Sequence, residues 1–290
     1  MTKRALVTGA NADYFGLLDD WLASIRSFPE LSGFDIFILD LGLAPGQSAT
    51  LAERGARTLQ IGWDIDFPGR ATQPLHYKAM TSRPFLPNHL PGHDVIMWLD
   101  ADIWVQDPRF LELYFIAAEH YGFAVTPELD RSYPLVYGFN PQRRFHFDIY
   151  VSCFGREAAE KLISFPILNS GAFAIRRDHP IWASWQGTCR QSMRNSANKM
   201  AEQAALNLAV YSGTNVAEQP HMLPAIANWV CSVSLPKWDA DLKRLVEPNL
   251  PHQPLGLVHL AGVRGERTLK TTAGGEIKTG LEFREIEKIR

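Results

Sequence analysis

Through the N-terminal third of the chain, short apolar runs alternate with stretches whose apolar residues recur at helical spacing. That alternation is the pattern of strands separated by helices. Residues 4–8 read as a strand, and residues 15–28 as an amphipathic helix ending before Pro29. Residues 34–39 read as a second strand, 47–54 as a short helix stopped at Gly55, and 58–61 as a third strand. A helical stretch over 76–86 leads to Val95-Ile-Met-Trp-Leu99, an unbroken apolar run of the kind found in strands buried on both faces. The order predicts an α/β protein with a Rossmann-like, mostly parallel central sheet flanked by helices.

Past Asp107 the pattern becomes irregular. Residues 127–144 are rich in Pro, Tyr, Arg and Gly without periodicity, as a substrate-facing loop would be. Residues 168–175 are strand-like, helices are expected near 180–193 and 199–211, and Pro-rich connections fill 220–254. Residues 255–258 read as a last core strand, and the tail 274–290 carries charges of both signs and reads as helical or loose. No repeat and no linker divides the chain, so residues 1–290 are expected to form one domain.

Composition narrows the class. With 290 residues, 46% hydrophobic and 21% charged, the chain can bury a full core as an ordinary soluble globule. A net charge of −2 gives no reason to expect nucleic-acid binding. The first apolar stretch is too short for a signal peptide, and no run is long enough to span a bilayer. Cys153, Cys189 and Cys231 are odd in number and widely spaced, which fits a reducing cytoplasm and small buried side chains rather than a disulfide framework or zinc cluster.

Candidate chemistry centres on Asp100-Ala101-Asp102 at the end of the 95–99 run. On extended backbone two carboxylates one residue apart face the same way, and the carboxyl end of a central strand opens onto the ligand crevice of an α/β sheet. Two oxygen ligands there suit a divalent cation, and the cation suits a diphosphate. Asp64-Ile65-Asp66 and Asp239-Ala240-Asp241 repeat the spacing, but the first lies beside Pro68-Gly69 and the second reads as an exposed helical turn. The plain alternative for Asp100 and Asp102 is a strand-end turn with solvated acids. Gly9 follows a strand, yet Ala10-Asn11-Ala12 replaces the glycines of a dinucleotide fingerprint. A phosphate loop, a nucleophile elbow and a zinc-binding His-Glu-x-x-His are all absent from the sequence.

Four motifs then occur in order: Leu99-Asp-Ala-Asp-Ile-Trp-Val105, Leu168-Asn-Ser-Gly-Ala-Phe173, Glu202-Gln-Ala-Ala-Leu-Asn207 and Val258-His-Leu-Ala-Gly262. Together they resemble the GT-A-fold glycosyltransferases related to family 8, which includes glycogenin-like and lipopolysaccharide galactosyl- and glucosyltransferases. The resemblance implies a metal-dependent hexosyltransferase of polysaccharide biosynthesis that uses a UDP-sugar with retention of configuration. It implies a nucleotide-sugar-binding part over 1–125, an irregular acceptor and catalytic part over 126–273, and a charged tail. Asp100, Asp102 and His259 would ligate the metal. Gln203 would lie near the reacting carbon, Glu202 would bond a sugar hydroxyl, and Asn169, Ser170 and Gly171 would lie along the donor sugar. Thr8, Gly9, Ala10 and Tyr14 would hold the base, with Ala101 and Gly262 also on the donor. Lys78, or alternatively Arg83, would approach the donor from the helix before the central strand. Diphosphate contact would come from Arg264, Arg267 or Lys270, because Val263-Arg-Gly-Glu-Arg-Thr-Leu-Lys270 stands where the family commonly has Lys-Pro-Trp. Glu202 also departs from the usual Asp.

An imidazole beside two carboxylates favours Mn²⁺ over Mg²⁺. The expected partners are a nucleotide-sugar donor and a glycan or lipid-linked glycan acceptor. A lipid-linked acceptor would place this cytoplasmic protein at the inner face of the membrane. The rivals are an inverting GT-A transferase with Asp130, Asp148 or Glu202 as base, a non-catalytic nucleotide-sugar binder, and a metal-dependent nucleotidyltransferase or phosphohydrolase.

Overall fold

Residues 2–213 and 219–290 are described in a computed structural model. The main sheet runs β3 (Ala56–Gln60), β2 (Asp35–Asp40), β1 (Arg4–Ala10), β4 (Val95–Leu99), β7 (Leu168–Arg176), β6 (Phe123–Pro127) and β8 (His221–Met222). β1 pairs in parallel with both β2 and β4, and β7 runs antiparallel to β4 and β6. The sheet is thus mostly parallel, as the strand–helix alternation predicts.

Period-two burial divides the sheet between two cores. Ala5, Val7, Ile96, Trp98, Phe173 and Ile175 face one core, with α6 (Pro141–Phe154), α7 (Arg156–Leu162), α8 (Ile181–Asn195) and α9 (Ala201–Tyr211). Leu6, Val95, Met97, Leu99, Ala172 and Ala174 face the other, with α1 (Phe15–Arg26), α2 (Gln47–Glu53) and α5 (Arg109–Tyr121). Cys153, Cys189 and Cys231 are buried free thiols.

The expected helix over 76–86 is interrupted. α3 (Tyr77–Ser82) gives way to a 3₁₀ turn at Arg83–Phe85 and then α4 (Leu86–His89). Pro84 and Pro87 remove the backbone donors that a continuous helix would need. α6 begins inside the segment read as a loop, with the Asn140 side chain accepting from the N–H groups of Gln142 and Arg143 and Pro141 in the first turn.

The C-terminal part differs most from expectation. Residues 255–258 do not join the main sheet. Instead β12 (Leu257–His259) lies between β5 (Ile103–Val105), antiparallel, and β9 (Trp229–Val230), parallel. Asp239-Ala240-Asp241 is not helical; it starts the turn between β10 (Lys237–Asp239) and β11 (Arg244–Val246), where Asp239 Oδ1 accepts from Leu242 N–H at 2.9 Å. The tail is not loose either. β14 (Glu276–Thr279) pairs with β13 (Arg267–Lys270), and α10 (Phe283–Glu287) buries Phe283 and Ile286 in a third core with Trp104, Trp238 and Val258. Trp104 Nε1 donates to the Leu281 carbonyl at 2.8 Å, closing the tail over β5.

Ile286→Ala should therefore destabilise the protein by about 2–4 kcal/mol, the usual cost of such a core truncation. Urea denaturation measures it, and a change under about 0.5 kcal/mol, typical of surface positions, would mean that α10 is not docked.

Candidate functional site

β2 and β3 extend the sheet to one side of β1, and β4 begins the other side, so the chain changes direction between β1 and β4. Such switch points open a crevice beyond the carboxyl ends of the strands. A cleft of about 630 Å³ lies there, lined among others by Gly9, Asp100, Asp102, Gln203 and His259.

Asp100-Ala101-Asp102 is not extended backbone, as first expected, but a turn between β4 and β5, closed by Ile103 N–H on the Asp100 carbonyl at 2.9 Å. The carboxylates nonetheless converge. His259 arrives at the end of β12, in register with Ile103, and Leu260 N–H bonds the Asp102 carbonyl at 3.0 Å. Ligand atoms of Asp100, Asp102 and His259 all lie within 4.8 Å of one another. His259 Nε2 stands 3.5 Å from Asp102 Oδ1 and 4.0 Å from Asp100 Oδ2. Two carboxylates and an imidazole nitrogen at this spacing fit a divalent first-row cation. A Cβ at Gly171 would come within 2.6 Å of His259 Cε1 and 2.9 Å of Asp100 Oδ2, so only glycine lets β7 pass this close.

Asn169, Ser170 and Gly171 lie in β7, within the 168–175 stretch expected to be a strand. The β4 ladder ends at Leu99↔Ala172, and the β6 register slips between Val125↔Phe173 and Pro127↔Leu168. Their backbone donors turn to side chains: Ser170 N–H to Gln203 Oε1 at 3.1 Å and Gly171 N–H to Asn169 Oδ1 at 2.9 Å. Gln203 and Asn169 in turn donate to Glu128 Oε1 at 3.3 and 2.8 Å.

Arg83 is the buried cation of the cleft. It donates to Glu202 at 2.5 Å, to Ser170 Oγ at 3.2 Å and to Asp100, and lies over the Trp98 ring. Glu202 is 1% exposed, and its Oε1 has no hydrogen-bond partner. Burial pushes its carboxyl up to about 7, with Arg83 opposing the rise and Asp100 adding to it. At Glu128, burial also favours the neutral form, but His146, Asn169 and Gln203 outweigh it and hold the carboxyl below its usual range.

No protein-family profile matches the chain, and no curated protein matches it in sequence. Solved structures match in shape. The galactosyltransferase LgtC, solved with donor and acceptor sugar analogues, is 12% identical with a TM-score of 0.52 over 90% of this chain and 88% of that one. The bifunctional glycosyltransferase WbbM is 13% identical with a TM-score of 0.56 over 90% of this chain and 46% of that one. Mouse xyloside xylosyltransferase 1 is 14% identical with a TM-score of 0.50 over 89% of this chain and 97% of that one. The fold is that of the GT-A glycosyltransferases.

Within this GT-A fold, Gly9, Ala10, Tyr14, Ala101, Asn169, Ser170, Gly171, Glu202, Gln203 and Gly262 line the cleft with the three metal-ligand candidates. Thr8 is buried in β1, outside that lining. Lys78 turns its ammonium to the Ile61 carbonyl at 3.1 Å, leaving Arg83 as the cation from that segment in the cleft. Lys270 and Arg267 are exposed on the β13–β14 hairpin, whereas Arg264 reaches Asp102 at 3.4 Å and lies over Tyr14. Asp130 and Asp148 lie outside the lining, Asp148 being paired with Arg144. Glu128, His146 and Asn228 escape the sequence reading. A carboxylate directly after an apolar run was the available signal for Glu128; nothing local marks the other two.

Because Glu202 titrates higher in the fold than an ordinary glutamate at 4.5, its contribution to stability is present at low pH and lost as pH rises to about 7. Wild type should lose stability relative to Glu202→Gln across that window. Denaturation curves at a series of pH values test this, and parallel pH profiles would refute a burial cost at Glu202 that outweighs its pairing with Arg83.

Proposed function

We propose that the protein is a metal-dependent, retaining hexosyltransferase that moves sugar from a nucleotide sugar, UDP-linked in our reading, to a hydroxyl of a glycan or lipid-linked glycan. The observation that carries the reading is the convergence of Asp100, Asp102 and His259 in the switch-point cleft that Gln203 also lines. The capture of LgtC with donor and acceptor sugar analogues supports it.

Asp100, Asp102 and His259 would hold the cation, which when bound would neutralise charge on the departing diphosphate. Mn²⁺ is preferred over Mg²⁺ because of the imidazole. Arg264 would add positive charge beside Asp102 from the cleft rim. Glu202 Oε1, buried without a partner, is an acceptor suited to a donor-sugar hydroxyl. The Gln203 amide is held by Ser170 N–H on its oxygen and by Glu128 on its nitrogen. An amide oxygen so fixed can stabilise an oxocarbenium-like carbon without trapping it covalently. Retention would follow if the acceptor attacks from the leaving-group side, the departing phosphate taking its proton.

An inverting reaction would need a general base. Asp130 and Asp148 lie outside the cleft lining, Glu202 is bound to Arg83, and Glu128 is engaged by Asn169, Gln203 and His146. Among the described residues no helix is long and apolar enough to cross a membrane. A cytoplasmic protein that meets a lipid-linked acceptor at the inner membrane face is our reading of its setting.

Asp102→Ala should fold normally, by circular dichroism, yet lose at least about 100-fold in Mn²⁺-dependent nucleotide release across a panel of nucleotide sugars. Turnover near wild type would remove Asp102 from the metal site. With an α-linked donor, NMR of the first-formed product should show the α-glycoside. A β-linked product would assign the inverting course.

A further inference from the structure

Side-chain amides are ambiguous at each end, but here a chain of them starts from a donor that cannot reverse. Gly171 N–H is a backbone donor, so the Asn169 atom 2.9 Å away is its oxygen. That oxygen also faces an amide end of Asn228 at 3.0 Å, which must then be the nitrogen. The other end of Asn228, its Oδ1, lies 3.1 Å from His259 Nδ1. An acceptor there requires the proton on Nδ1, which leaves the lone pair of the neutral ring on Nε2, the atom facing Asp102 and Asp100.

We infer that Asn228 is the positioning residue of the His259 site: the relay Gly171–Asn169–Asn228 fixes the Nδ1–H tautomer and aims Nε2 into the cleft. Asn228 is 1% exposed and Asn169 5%, so most of this relay is screened from solvent. The relay branches at Asn169, whose nitrogen bonds Glu128 Oε1, the atom that also accepts from Gln203. One buried frame therefore orients both the imidazole and the Gln203 amide. In this frame Asn169 is a junction whose oxygen is doubly engaged. The tautomer follows from the relay alone, whereas its effect on metal binding rests on the metal site proposed above.

The test uses full-length protein labelled with ¹⁵N-histidine, with His259 assigned from a His259→Gln spectrum. Metal-free wild type at a pH of about 8.5, above the ordinary imidazole range, should show the Nδ1–H tautomer. An Nε2–H ring overturns the inference and needs no variant to do so. Mn²⁺ titration with UDP, followed by EPR, gives the second readout. Asn228→Leu, which keeps bulk and removes the acceptor, should weaken Mn²⁺ about 10–100-fold, the usual loss when such a partner is removed. Asn228→Asp, which keeps an acceptor for Nδ1–H but loses the donor to Asn169, should show the Nδ1–H ring that Asn228→Leu loses. Unchanged tautomer and affinity in a folded Asn228→Leu protein would also overturn the relay. Nδ1–H in a wild-type protein that binds neither Mn²⁺ nor Mg²⁺ would support the relay and sink the metal site instead.

Discussion

The break in pairing around residues 169–171 is the constraint on which the cleft depends. On one side the pairing with β4 ends in a last backbone bond, Asp100 N–H to the Gly171 carbonyl at 2.8 Å, and on the other β6 slips out of register. Slips of this kind leave main-chain groups unpaired and re-aim side chains. Here Ser170 and Gly171 direct their N–H groups to Gln203 and Asn169. A helix residue, Gln203, is thereby tied to the strand beside the Asp100 turn. α9 is held to β7 further along as well, because the Asn207 amide both donates to and accepts from the backbone of Leu168. The polar face of α9 is thus ordered by the strand rather than by solvent. Glu202 and Gln203 sit in the first turn of a helix that is nearly all buried, an arrangement tolerable only because each has a specific partner.

Charge imposes a second constraint on the same few residues. Arg83 has two carboxylates to satisfy, Asp100 and Glu202, and its guanidinium is always charged. Trp98 supports it from below and donates its indole N–H to Asp100 Oδ1 at 2.8 Å. Both bonds on that oxygen leave Asp100 Oδ2 turned toward His259. The short 3₁₀ turn at Arg83–Phe85 is what delivers the guanidinium, so the two prolines that interrupt the helix also place the cation.

Local sequence discloses some of this and hides the rest for a physical reason. Period-two and helical patterns locate β1, β2, β4, β7, α1, α8 and α9, because burial on defined faces is written in side-chain polarity. Asp100, Asp102 and His259 are legible as strand-end polar residues, and their order with the Asn169 and Glu202 motifs suggests the fold. What pattern cannot disclose is which distant groups meet. Asn228 sits in a Pro-rich stretch and Glu128 in an aperiodic one, and both acquire their meaning from contacts across the fold. The C-terminal hairpin and α10 escape for a different reason. Their strands and helix are only four or five residues long, too short for periodicity to rise above a charged background.

These constraints meet at the imidazole. With Nδ1–H given to Asn228, the ring turns Nε2 to two carboxylates, 3.5 Å from Asp102 Oδ1 and 4.0 Å from Asp100 Oδ2. Alone, such a cluster costs free energy, as functional sites often do. Arg83 relieves Asp100 but not Asp102, whose contact with Arg264 at 3.4 Å lies at the partly exposed rim and is correspondingly weak. A cation between the three groups, as proposed above, would remove the repulsion and take each lone pair as a ligand. Because the tautomer is set from the backbone side of the ring, that arrangement precedes the cation, so little of the binding free energy would be lost to reorganising the site.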